Sequence, residues 1–194
     1  MGYSLEFYSL SWDALRGELA QPGSGVIEEA RRSKGIGPFH SQSAEASRRW
    51  TAAVTAISNA ISLHFDDGRG ESEITGDQAL AFVVMVRFLG SALGALDHAS
   101  ASGKGFRDDF LENIASQCFQ EPRLGTYLTE RAFFGLISLE YPAWGGLTRA
   151  QTSRLVEDYT PVPVDPAYTV WLDELRDILN GAKERENDVM TLYL

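Results

Sequence analysis

The chain has almost no cysteine. Cys118 is the one cysteine among 194 residues, so a disulfide within the chain and a C-x-x-C metal or redox site are both excluded. The surrounding stretch ENIASQCFQE predicts a helix, in which a lone cysteine is typically a small buried apolar residue. The opening stretch MGYSLEFYSLSW has no basic segment followed by an apolar run. We therefore predict no signal peptide and a cytoplasmic location.

Basic residues are also in short supply. The chain has 17 Lys and Arg against 27 Asp and Glu, which gives a net charge of −10 at pH 7. A phosphate backbone repels such a chain, so we predict no nucleic-acid partner. The negative charge suits a basic protein partner, or it serves solubility alone.

Long hydrophobic runs are absent apart from ALAFVVMVRFLGSALGAL, residues 79–96. Arg87 lies near the middle of this run, where insertion into a bilayer costs about 2.5–3.5 kcal/mol. Asp77 and Asp97 lie close to its two ends. We therefore predict the central buried helix of the core rather than a membrane span, and no membrane partner.

Motifs for nucleophilic catalysis and phosphate binding are missing. There is no G-x-S-x-G elbow, and GKG at 103–105 lacks the rest of a P-loop. GIGPFH at 35–40 has Pro38 where a dinucleotide-binding fingerprint would continue. We predict no cofactor and no metal, and the sequence leaves open whether the protein is an enzyme.

Hydrophobic periodicity predicts six or seven helices and three or more short strands. GYSLEFYSL at 2–10 and NDVMTLYL at 187–194 predict strands at the two ends of the chain, and a further strand is predicted from Phe133 to Tyr141. Terminal strands are often tied into a sheet. The sequence therefore predicts one α+β domain over 1–194, rich in helix, with a small mixed sheet that includes both terminal strands.

Capping residues mark several of the predicted helix starts. Ser11 is placed to cap a helix that begins at Trp12. Thr75 with Gln78, and Thr148 with Gln151, have the three-residue spacing of a capping box, in which each side chain hydrogen-bonds the backbone of the other residue. We therefore predict helices that begin after Thr75 and after Thr148.

Several stretches resemble a known family. MGYSLEFYSLSWDALRGEL is similar to the opening of the YfbM-like family of small bacterial proteins, which begin with Met-Gly, a strand and a helix that runs from a serine to a leucine. YPAWGGLTRAQTSRLVEDY resembles the G-x-L-T-x-x-Q/E helix start of those proteins, and ILNGAKERENDVMTLYL looks like their last helix, charged turn and closing strand. TGDQALAFVVMVRFLGSAL resembles a helix of related actinobacterial proteins of unknown function.

The resemblance implies an α+β fold. The family has no settled catalytic residues that can be carried over to this chain. Some relatives are thought to act as immunity proteins beside toxins, which implies a protein-binding role by analogy. This chain differs from the family in its longer middle and in an acidic segment that lies there.

The acidic segment is HFDDGRGESEITGDQ, residues 64–78. Four of its five carboxylates, those of Asp66, Asp67, Glu71 and Glu73, precede the helix that is predicted to begin after Thr75. Their spacing does not match an EF-hand loop, and Arg69 would oppose a cation. The favoured interpretation is a solvated connection between two helices, with a metal site or a partner contact as alternatives. As a partner contact, these carboxylates would meet Arg and Lys side chains and raise the association rate.

The three histidines have no predicted catalytic role. His40 is predicted in a loop, and His64 and His98 at helix ends. A histidine at the C-terminus of a helix is stabilised by the helix dipole without any function, and this is the favoured interpretation over an acid-base pair with a neighbouring aspartate.

The alternative function is that of a small-molecule-binding protein or enzyme, with a pocket between the sheet and the central helix. Arg87, His98, Tyr141 and Trp144 are the candidate pocket residues. An arginine inside an apolar helix must find an anion. Trp144 is predicted on a turn, where an aromatic residue can cover a pocket or anchor an interface, but burial in the core is its favoured interpretation. The favoured function is a non-catalytic protein-binding module of a bacterium, and its most specific form is an immunity-type protein that occludes a basic partner.

Overall fold

The computed structural model describes residues 3–66, 70–98, 105–137 and 142–194, with the backbone alone for Tyr3, Phe65, Asp66 and His98. The helices are α1 (Trp12–Leu19), α2 (Gly25–Lys34), a 3-10 turn (Gly37–Phe39), α3 (Ala44–Asp66), α4 (Gly76–Leu89), a π-helix (Gly105–Ala115), α5 (Ser116–Cys118), α6 (Leu124–Thr129), α7 (Arg149–Glu157) and α8 (Pro166–Arg185). The strands are β1 (Tyr3–Leu10), β2 (Ser72–Glu73), β3 (Ser91–His98), β4 (Leu136–Ile137), β5 (Ala143–Leu147) and β6 (Asp188–Tyr193).

Contacts divide the chain into two compact units. The first, here called the sheet unit, comprises Met1–Ser9, Ala92–Arg131 and Ala143–Leu194. The second, the helical unit, comprises Leu10–Ser91 and Ala132–Pro142. The α+β fold class predicted from the sequence is confirmed, with strands near both termini. A single domain over the whole chain stays a prediction.

The sheet unit is built on a four-stranded sheet with the order β3-β1-β6-β5. The two terminal strands lie side by side at its centre, where Ser4 and Leu194 exchange two backbone hydrogen bonds of 3.0 Å, as in an antiparallel pair. β5 is antiparallel to β6, with Gly145 opposite Thr191. Val189 to Tyr193 are all buried, which is the burial pattern of a strand covered on both faces.

The core of the sheet unit is aromatic and aliphatic. Phe106 and Phe110 of the π-helix contact Trp171 of α8 with ring centroids 5.1 and 5.4 Å apart. Leu172, Leu175 and Leu179 form the inward stripe of α8, as helical spacing requires. Cys118 lies in this core, free and buried, so its predicted burial is confirmed.

The helical unit packs α3 against α4. Trp50, Val54, Ile57 and Ile61 form the predicted buried stripe of α3. Arg49 of α3 donates to both carboxylate oxygens of Asp77 at 2.7 and 2.8 Å. The unit also holds a second sheet, in which the two-residue strands β2 and β4 pair in parallel.

The run 79–96 is helical only as far as Leu89, so the prediction of one helix to residue 96 is wrong. Gly90 ends α4 in an extended conformation, as glycine often ends helices. The rest of the run forms β3, in which Leu96 is fully buried. An apolar run of this kind has no periodicity that separates a helix from a strand.

The strand predicted from Phe133 to Tyr141 begins later than expected, at Leu136. Phe134 and Gly135 have φ of 56° and 76° and form a tight turn, across which Phe133 and Leu136 exchange hydrogen bonds of 3.0 and 2.7 Å. Only Leu136 and Ile137 continue as a strand, and residues 138–141 lie outside the described part of the chain.

Within the described residues, no helix is long and apolar enough to cross a bilayer.

Candidate functional site

The acidic segment joins α3 to α4, as predicted, but it is not only a solvated turn. Ser72 and Glu73 form β2, whose backbone is fixed when Ser72 N donates to Gly135 O at 2.6 Å and Ile74 N donates to Ile137 O at 2.9 Å. The side chains of Glu71 and Glu73 are exposed. They are therefore available to a partner, and a contact there stays a prediction.

The other two predicted partner-binding residues lie at the limit of what the structure describes. The side chain of Asp66 and the whole of Asp67 fall outside the described residues. Within the described residues, no three His, Cys, Asp or Glu side chains lie close enough together to hold a metal ion. The metal alternative for the complete segment thus stays untested.

His64 has a packing role in the last turn of α3. A Cβ on Gly135 would lie 2.4 Å from the imidazole Cγ, so the ring occupies the space that this glycine leaves open. His40 is exposed after the 3-10 turn. His98 is the last residue of β3 and not the end of a helix, so the predicted position of His98 is wrong.

Trp144 is in the core and not on a turn. It lies in β5, with 1% of its surface exposed. The turn predicted around Trp144 is wrong because Gly145 and Gly146 belong to a buried strand, whereas the favoured interpretation of Trp144 as a core residue is confirmed. Trp144 is therefore excluded as a lid or as an interface anchor.

The other candidate pocket residues do not form a described cluster. Arg87 is half-buried in the last turn of α4, in the helical unit. Tyr141 and the side chain of His98 lie outside the described residues. The predicted pocket between sheet and central helix stays a prediction.

The outer side of α8 is a second acidic surface, which the sequence analysis missed. Val170 is 61% exposed, and the helical spacing places four carboxylates along the same side, opposite the buried leucines. We call this the acidic face of α8: Asp173, Glu174, Asp177 and Glu184. The signal was present in the sequence as acidic residues three or four positions apart.

Few cations neutralise the acidic face of α8. Arg176 lies 3.4 Å from Asp173 and 3.8 Å from Asp177, so one guanidinium serves both carboxylates. Within the described part of the chain, no Lys, Arg or His nitrogen lies within 4.0 Å of the carboxylates of Glu174 and Glu184. The face therefore carries net negative charge toward solvent.

Arg176 also contacts Tyr159, at the end of the preceding helix. The guanidinium carbon lies 5.8 Å from the centroid of the tyrosine ring. Burial raises the pKa of the Tyr159 hydroxyl above its ordinary value, with Cys118 and Asp173 adding to the shift and Arg176 opposing it. Tyr159 and Asp173 are thus both neighbours of the Arg176 guanidinium.

Two arginines have structural roles, Arg31 buried and Arg131 half-buried. Arg31 is 3% exposed, and it donates to both oxygens of Glu28 and to the carbonyl of Ser41. Arg131 donates to the carbonyl of Gly146 at 3.1 Å, and burial lowers the pKa of its guanidinium. Arg31 and Glu28 therefore neutralise each other within the helical unit.

A groove of about 490 Å³ opens on the sheet unit beside the end of the π-helix. Helices of this type are rare and often accompany functional sites. The groove is lined by residues from the π-helix, from α5 and from the segments that follow α5 and α7: Glu112, Ser116, Gln117, Gln120, Pro122 and Val162. Sequence analysis did not single out any of these residues.

The fold and these surfaces define an α+β protein with an acidic helix face and a groove that has both apolar and polar walls. Comparison with protein-family models, with curated proteins and with solved structures finds no match to this chain. The resemblance to the YfbM-like family therefore stays a prediction.

Proposed function

We propose that the protein is a binding module whose acidic surface engages a basic protein partner. The observation that carries this proposal is the acidic face of α8. Its carboxylates lie along one side of a 20-residue helix, about 30 Å in length. Among the described residues, no cationic side chain lies within ion-pair distance of Glu174 or Glu184 on that face.

An exposed apolar side chain accompanies the charge. Val170, 61% exposed, lies one turn before Asp173 and Glu174 on the same side of α8. Protein interfaces combine an apolar centre with a polar rim, and charge complementarity raises the rate of encounter and disfavours wrong partners. This combination supports a protein partner with Lys and Arg around an apolar contact.

The acidic segment supplies a further negative region through Glu71 and Glu73, both exposed. In the most specific form of the proposal, the protein is immunity-type and inhibits a basic toxin by covering its functional surface. The net charge of −10 supports this form, since opposite net charges accelerate association.

The test uses the proteins encoded beside the gene for this chain, each produced separately and measured for binding by biolayer interferometry. The variant Glu174→Lys/Asp177→Lys reverses two charges on the acidic face of α8. The control variant Asp13→Lys/Glu29→Lys changes the net charge by the same amount at exposed positions of the helical unit. We expect the α8 variant to slow association about tenfold or more, because charge at an interface acts mainly on encounter.

The control is expected to slow association much less. If both double variants slow it equally, the acidic face of α8 is not the binding surface. If no neighbouring product with excess Lys and Arg binds the wild-type chain, the proposed function is wrong. Rescue of growth when the chain is co-produced with a toxic neighbour would support the immunity-type form.

A further inference from the structure

The groove beside the π-helix presents hydrogen-bond acceptors. Ser116 Oγ donates its proton to the carbonyl oxygen of Glu112, so the lone pairs of this hydroxyl can accept a hydrogen bond. The Nε2 of Gln120 donates to Gln117 O at 2.6 Å, which leaves its Oε1 as an acceptor. These local hydrogen bonds leave the Ser116 hydroxyl and Gln120 Oε1 as acceptors, beside the second Nε2 proton of Gln120 and the side-chain amide of Gln117.

Glu112 adds a carboxylate to these oxygens. Its side chain lies over Gly125, where an added Cβ would be 2.5 Å from Oε1. The hydroxyl of Thr126 lies 3.5 Å from the same oxygen. Among the described residues, no Lys or Arg nitrogen lies within 4.0 Å of this carboxylate. Gly125 therefore makes room for a carboxylate whose charge is not neutralised within the fold.

The walls of the groove are partly apolar. Pro122 and Val162 lie on it with the polar groups. Val162 belongs to the segment that leads into α8, and Thr160 N anchors this segment by donating to the carbonyl of Cys118 at 2.8 Å. A ligand with an aliphatic stem and a cationic end matches this groove. The stem can lie on the apolar side chains while the cationic end donates hydrogen bonds to the oxygens.

We propose that this groove binds the side chain of an arginine that the basic partner presents. The proposal rests on the proposed function for the protein that supplies the arginine. A guanidinium carries five N–H donors and no acceptor, which fits a site with carboxylate, hydroxyl and amide oxygens. Lysine offers three donors from a single point, so the separated acceptors favour arginine.

The test uses the intact chain and two small probes, N-acetyl-arginine amide and N-acetyl-citrulline amide. Citrulline has nearly the same shape, but it lacks the charge. Binding is followed by two-dimensional ¹⁵N NMR of the side-chain amides of Gln117 and Gln120. We expect saturable shifts of these amides with the arginine probe and much weaker ones with citrulline.

Two variants locate the binding. Glu112→Gln is expected to weaken the arginine probe about tenfold or more, because a hydrogen bond to a charged group contributes about 1.5–3 kcal/mol. Gly125→Ala is expected to weaken it too, since the added methyl displaces the flexible carboxylate rather than backbone. The control Glu174→Gln, on the acidic face of α8, should leave probe binding unchanged.

Equal shifts with both probes, or shifts that persist in Glu112→Gln with the fold retained in its NMR spectrum, would overturn the arginine site. Its failure is distinguishable from failure of the proposed function. If the partner binds the Glu112→Gln variant as tightly as it binds wild type, the proposed function stands but the groove is not its arginine site. If the arginine probe binds the groove but no neighbouring gene product binds the chain, the arginine site stands and the proposed function is wrong.

Discussion

Gly145 lies in the middle of β5, where the structure leaves no room for a side chain. A Cβ at this position would be 2.2 Å from the backbone carbon of Leu128 and 2.3 Å from the carbonyl oxygen of Tyr127. On the facing strand, Thr191 Oγ1 donates to the carbonyl of Leu128 at 2.6 Å. The close approach of α6 to the sheet therefore depends on a glycine.

We predict that Gly145→Ala lowers the free energy of unfolding by about 2–3 kcal/mol, because the clash is with backbone and overpacking forces the chain to move. Urea denaturation measures it. Gly17→Ala is the matched control: Gly17 is in α1, with nothing within 4 Å of the added Cβ. That change should stabilise the chain by about 0.5–1 kcal/mol. A Gly145→Ala variant as stable as wild type would contradict this account of β5.

Glu28 gives a pH dependence whose sign follows from its partner. The hydrogen bond from Arg31 holds the pKa of the Glu28 carboxyl below its ordinary value of 4.5, and burial opposes this shift. Because the folded pKa is lowered, the contribution to stability is complete above 4.5 and is lost as the pH falls through the folded pKa.

We predict that Glu28→Gln lowers the free energy of unfolding at pH 7, and that its difference from wild type shrinks toward pH 3. The effect should be less than about 1 kcal/mol, since the carboxylate is partly exposed and its pairing is screened. Thermal unfolding at a series of pH values measures it. A difference that stays constant over this range would contradict the assigned pairing.

Trp144 shows why sequence pattern alone misplaced a residue. Proline before it and two glycines after it are typical of a turn. Gly145 is needed instead because α6 lies against the strand at this position. That requirement arises from a tertiary contact, so it has no local signal in the sequence.

At the scale of elements, the two predicted capping boxes had different outcomes. Thr148 Oγ1 accepts from Gln151 N at 3.1 Å, and Gln151 Oε1 accepts from Thr148 N at 2.9 Å, so the box before α7 is confirmed. Thr75 precedes α4, but its side chain makes no capping hydrogen bond. The capping box at Thr75 was therefore predicted wrongly, although the helix begins where expected.

This difference gives a matched pair of variants. We predict that Thr148→Ala lowers the free energy of unfolding by about 1 kcal/mol, the usual cost of losing an N-cap. Thr75→Ala should have an effect close to zero, because it removes no hydrogen bond. Chemical denaturation of both variants measures the contrast, and equal losses would contradict it.

Elements with strong local signals were predictable, and those fixed by long-range pairing were not. Capping residues and amphipathic stripes predicted α1, α3, α7 and α8. Aromatic and apolar residues in partial alternation predicted the terminal strands β1 and β6. The strand β2 has two residues, Ser72 and Glu73, and exists because β4 pairs with it. The groove was not predictable either, since its residues converge from separate segments.

At the scale of the whole molecule, the charge is distributed unevenly between interior and surface. Arg31 is buried and Arg131 is half-buried, whereas the carboxylates of Glu71, Glu73 and the acidic face of α8 are exposed. The composition predicted the negative sign of the surface. It could not predict which helix carries the charge, because that depends on which side of α8 the core covers.

The most direct test of the central claim is the salt dependence of association with a basic protein encoded beside the gene. Stopped-flow rates are compared for wild type and for Glu174→Lys/Asp177→Lys as the ionic strength is raised. We expect the wild-type rate to fall steeply with salt, because ions screen the attraction, and the variant to be slower and to depend less on salt. A wild-type rate independent of salt, or an equal salt dependence in the variant, would contradict it.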